Sequence, residues 1–194
     1  MSVAPESKTG ERRGAAKAAV GPVIDEIEGG SWFAAVGEPP TEGEIAEADA
    51  YLAALGFPGL RIDWLADWPA ARRASEDPGW EPAWWQREQA LQSDLYGAAV
   101  HACGEPATLA ALSDVTDAAV RLLHGPAAVA AARGGIADPG LTRAAAGAAA
   151  QACYQAALCR LAGASAEHAF AAKLRLFAAG RWPLTIARDR FHVF

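Results

Sequence analysis

The sequence predicts an all-α fold: a single helical bundle of about six to seven helices, closed by a short C-terminal β-hairpin. Three observations predict it. Much of the 52% hydrophobic content is alanine, which loses no side-chain entropy on entering a helix. Apolar residues recur at three- and four-residue spacing between Gly and Pro punctuation. Strand-favouring residues stay scattered until residues 184–194, where they alternate.

Taken in order, residues 1–18 are polar and lack apolar periodicity. They are expected to form a flexible N-terminal tail ahead of one helical domain at 19–194. Val20, Val23, Ile24 and Ile27 fall at helical spacing before Gly29-Gly30. Thr41 and Glu44 form a capping-box pattern for a helix whose stripe is Ile45, Ala48, Leu52 and Leu55, ended by Gly56 and Pro58. Residues 59–82 carry repeated prolines and are expected to form short helical turns joined by loops. Pro82 suits the first turn of a helix reaching Cys103. Another starts at Pro106 and is expected to stop at Gly125-Pro126, with a short helix following to Arg133. Asp138-Pro139 opens the longest alanine helix, to about Leu161, and its small side chains predict a central position. Ser165 is the expected cap of the last helix, which carries Phe170, Leu174 and Phe177 and ends at Gly180. The hairpin at 184–194 turns about Arg188-Asp189-Arg190. Two strands alone are marginal in water, so it should lie on the helices.

Charge and cysteine content narrow the setting. A formal net charge of −6 argues against nucleic acid as a partner. Acidic residues dominate from Asp25 to Asp94, whereas basic residues dominate from Arg121 to Arg190. Either the halves neutralise each other, or the C-terminal half offers a basic surface. Cys103, Cys153 and Cys159 are an odd, sparse set, unlike a disulfide framework. The start lacks the apolar run of a signal peptide, and Gln151, Gln155 and Arg160 interrupt the most apolar stretch. A cytoplasmic protein without a membrane partner is the expectation.

No stretch matches a metal-binding, nucleophile or nucleotide signature. The sequence therefore predicts no catalytic residue, no metal site and no cofactor. What stands out is indole. Of seven tryptophans, Trp64, Trp68, Trp80, Trp84 and Trp85 fall within 64–85, together with Arg72 and Arg73. These rings either fill gaps that alanine leaves in a core, or wall a pocket or anchor an interface. The junction Gly180-Arg181-Trp182-Pro183 reads as a shaped chain reversal, with Arg181 and Trp182 as further candidate contact residues.

The leading expectation is a non-enzymatic binding or assembly protein that uses the 64–85 segment and the basic C-terminal half, its partner being another protein or a second copy. The competing expectation is a helical enzyme or small-ligand protein with a tryptophan-walled pocket near Tyr96 and His101. An enclosed aromatic pocket would favour the second reading, and exposed indoles the first.

Overall fold

A computed structural model describes residues 5–194 and gives, among them, seven helices and three short strands. The elements are α1 (Pro5–Gly29), α2 (Glu42–Leu55), β1 (Arg61–Trp64), α3 (Trp68–Ser75), α4 (Pro82–Cys103), α5 (Glu105–Arg133), α6 (Pro139–Ala162), α7 (Ala169–Ala178), β2 (Pro183–Ala187) and β3 (Arg190–Val193). The fold is mostly helical, as the alanine content dictates. Among the described residues, no helix is long and apolar enough to cross a membrane.

α6 occupies the centre, touching α1, α4, α5 and α7. Ala145, Ala149, Ala152 and Ala156 are buried along it, and side chains this small let neighbouring backbones approach closely. Bulk comes from outside: Trp32, Phe33, Phe170, Phe177, Trp182 and Phe194 join this main core. A second core lies between α2, α7 and the sheet, built on Tyr51, Leu52, Leu55, Leu176, Ile186 and Phe191.

Five expectations are corrected. The stretch 5–18, expected as part of a flexible tail, is the first half of α1; residues 1–4 lie outside the described residues. Ala16 and Val20 are buried there, and α1 packs along α5. A stripe whose leading member is an alanine gives little periodicity to read. Gly125-Pro126 does not divide α5, because Leu123, Ala127 and Ala130 stay buried across it and hold both halves to one surface. The region 59–82 contains a strand as well as α3. β1 pairs in parallel with β3, so the sheet order is β1-β3-β2 and the expected hairpin has a third strand. Ile45 lies on the outer side of α2, while Tyr51 takes the inner one. Finally, His168 caps α7, its Nδ1 accepting from the Phe170 N–H at 3.2 Å, while Ser165 accepts from the Glu167 N–H one turn earlier.

Between the two cores sits a buried polar junction. Lys173 on α7 donates to both Glu88 oxygens on α4 at 2.6 and 2.9 Å, and to Gln155 Oε1 on α6 at 3.2 Å. The Tyr51 hydroxyl on α2 donates to Glu88 at 2.6 Å and accepts from Trp84 Nε1 at 2.9 Å. Burial, and then the neighbouring Glu88 charge, push the Tyr51 phenol well above its ordinary range, so it stays protonated and remains a donor. One carboxylate ties three helices, and Lys173 brings in the fourth through Gln155.

Removing one partner of a buried ion pair strands the other charge, a loss of about 3–5 kcal/mol. Lys173→Met alone should therefore lower unfolding stability in urea by that amount. The combined replacement Lys173→Met, Glu88→Leu, Tyr51→Phe should recover most of it, since no charge is then left buried and unpaired.

Candidate functional site

The tryptophan segment divides into committed and free rings. Trp68 begins α3 behind the Asp67 cap, whose carboxylate accepts from the Ala70 N–H at 2.7 Å. Its indole is buried, donates to the Ala130 carbonyl at 3.2 Å and meets Phe194 edge-on, with centroids 5.0 Å apart. Trp84 is half-buried and bonded to Tyr51. Trp64, also half-buried, lies under the Arg181 guanidinium, 5.5 Å from its ring centroid. Trp80 and Trp85 differ, being 47% and 52% exposed. Neither indole N–H has a partner among the described residues. The Trp80 backbone is nevertheless fixed, forming a bridge with Ala187, and the next N–H, of Glu81, donates to the Ile186 carbonyl at 2.8 Å.

The C-terminal junction is a clamp. Gly180 holds φ at +96°, and a Cβ there would lie 2.7 Å from the Ala35 amide nitrogen, so the close chain approach requires glycine. Arg181, 2% exposed, bonds Glu44 twice, at 2.8 and 3.0 Å. It also donates to the carbonyls of Ala35, Glu38 and Pro39. All five guanidinium donors are thus engaged. The Arg181 hydrogen bonds hold the Glu44 carboxyl at about 2, against an ordinary value of 4.5. Trp182 is buried beside it, its ring edge-on to Phe33 at 6.4 Å. Both residues are parts of the chain's own packing.

The two charged halves do fold onto each other. Lys173, Arg175, Arg181 and Arg188 reach back to Glu88, Glu47, Glu44 and Asp77 respectively. Much of the basic C-terminal half is neutralised in this way. Arg72 likewise pairs with Asp138 at the start of α6, whereas Arg73 stands exposed on α3 with no ion-pair partner among the described residues.

Tyr96 and His101 are not gathered with the tryptophans. Tyr96 is half-buried and His101 exposed, and eleven residues of α4 put Trp85 and Tyr96 roughly 16 Å apart along the axis. Trp68 instead lines a cavity of about 290 Å³ with Phe33, Asp67, Arg133 and Phe194. A second cavity, about 210 Å³, is bounded by Glu26, Cys159, Arg160, Ser165 and Arg175. Behind it the Cys159 sulfur lies 3.2 Å from His168 Nδ1, a pair that sequence spacing did not suggest. Burial raises the Cys159 thiol to about 12 and lowers His168, so both are neutral and the sulfur is no nucleophile at neutral pH. Among the described residues, no three His, Cys, Asp or Glu side chains converge as metal ligands.

No protein family, curated protein or solved structure matches the chain.

Two measurements check these assignments. Trp68→Ala should destabilise by about 3–5 kcal/mol, whereas Trp85→Ser should stay within about 0.5 kcal/mol. Because the folded Glu44 pKa is depressed, its contribution is complete above about 4.5 and is lost as pH falls toward about 2. Glu44→Gln should flatten acid unfolding across that window and lower stability at pH 7.

Proposed function

We propose that this chain is a binding protein that meets another protein through the surface bearing Trp80 and Trp85, where α4 begins. The observation that carries the reading is the contrast within one short segment. Trp68 and Trp84 bury or bond their indoles, while Trp80 and Trp85 leave about half of each ring in water. Exposed apolar area of this size is unfavourable, at roughly 25 cal/mol per Å². Tryptophan is also the side chain most enriched among the residues that dominate protein interfaces.

Local structure suits such a role. The Trp80 backbone is anchored to the sheet edge and Pro82 starts α4 immediately after, so the two rings stand on fixed supports. A rigid anchor loses less entropy on binding than one carried by a loose loop. Gln86, Arg87 and Gln89 are exposed around Trp85, giving it polar surroundings of the kind found at an interface rim. A second copy of the chain is the first partner to test.

A photo-reactive benzoylphenylalanine placed at Gln86 should yield one discrete cross-linked species in cells at native expression, with itself or with another protein. The same group at the exposed Ser113 should not, and adding Trp85→Ser should abolish the species. Equal labelling from both positions, or none from Gln86, would defeat the proposal.

A further inference from the structure

A different part of the 64–85 segment carries a second kind of site. Between α3 and the sheet lies an open groove of about 240 Å³. Its apolar lining is Leu65, Ala70 and Ala74; Asp63, Arg73, Asp77 and His192 supply the charge and polarity.

These polar groups are not equivalent. Asp77 accepts from the Gly79 N–H at 2.7 Å and from Arg188 at 3.1 Å, so its charge is already answered. Arg73 is exposed and makes no ion pair or hydrogen bond among the described residues. Asp63 has His192 Nδ1 at 3.3 Å and no hydrogen bond of its own. His192 is largely enclosed, with 13% of its side chain exposed, and its Nδ1 is a buried atom without a hydrogen-bond partner. Buried nitrogens nearly always have one.

The buried Nδ1 lies against the Asp63 carboxylate, so the ring reports on whatever meets Asp63. The groove holds an unpaired cation and a carboxylate over an aliphatic floor. Arg73 and Asp63 do not reach each other, so opposite charges stand apart with room between them.

We propose that this groove binds a small zwitterion with an aliphatic side, in chemical class an α-amino acid, its carboxylate on Arg73, its ammonium on Asp63, its hydrocarbon on Leu65, Ala70 and Ala74. A simple anion would leave Asp63 unanswered and repelling it. A simple cation would face Arg73. Only a ligand carrying both charges satisfies the groove, and neither Trp80 nor Trp85 takes part in it.

Three probes separate the contributions: leucine, 4-methylpentanoate (its acid without the amine) and 3-methylbutylamine (its amine without the acid). Each is titrated into the full ¹⁵N-labelled chain while the His192 ring and Arg73 Nε resonances are followed. Leucine should shift both saturably, and each half-probe should bind at least about fivefold more weakly, the worth of one exposed charge pair. Arg73→Gln and Asp63→Asn should each remove the leucine response with thermal unfolding unchanged, because both groups are substantially solvated. The proposal is overturned if 4-methylpentanoate or 3-methylbutylamine binds as tightly as leucine, if no probe gives a saturable shift, or if Arg73→Gln leaves leucine binding intact.

Discussion

A lysine and a glutamate withdrawn from water constrain everything around them. Glu88 and Lys173 are each about 8% exposed, and their pairing leaves neither helix free to rotate or slide without stranding a charge. Alanine surfaces on their own specify register poorly, because one small side chain packs much like the next. The ion pair, with Tyr51 and Gln155 completing its hydrogen bonds, supplies the missing distinction. It holds α4 to α7, brings in α2 through the phenol and α6 through the amide, and thereby sets the two cores side by side.

The second polar fixture, Arg181, works on loops. The segment between α1 and α2 has few regular hydrogen bonds of its own, yet three of its carbonyls converge on this guanidinium. Glu44 serves there twice, since the carboxylate that answers Arg181 also accepts from the Thr41 N–H at 2.7 Å in the capping box. Helix start and C-terminal turn are locked by the same two oxygens. The indole face of Trp64 covers the cation from another side, so an aromatic residue that reads as a binding candidate is part of the chain's own closure.

The helices were legible because their signals are local. Thr41 with Glu44, Gly56, Pro82 and Asp138-Pro139 mark ends that the structure reproduces. β1 was not legible, since its four residues depend on a partner at the far end of the chain and carry no alternation long enough to read. The polar junction left a trace that periodicity alone could have found: Glu88 falls in phase with Leu95 and Ala99, and Lys173 with Phe170 and Phe177. Two opposite charges on two apolar stripes point to each other. Sequence spacing gathered five tryptophans into one candidate site, yet tertiary packing sends Trp68 toward Phe194, Trp84 toward Tyr51 and leaves Trp80 and Trp85 outside. The His192–Asp63 pair was invisible for the same reason as β1, because parallel strand pairing creates it.

That parallel pairing also orders events on the ribosome. Arg61 to Trp64 emerge early, but the strand they add to runs from Arg190 to Val193. Until that strand emerges the early tetrapeptide has no template, and the second core between α2 and α7 lacks Phe191. Contacts so distant in sequence close slowly, after the local helices have formed. A nascent chain halted before Phe191 would hold a nearly complete helical scaffold with one apolar flank open, which is the stage at which a chaperone has most to recognise.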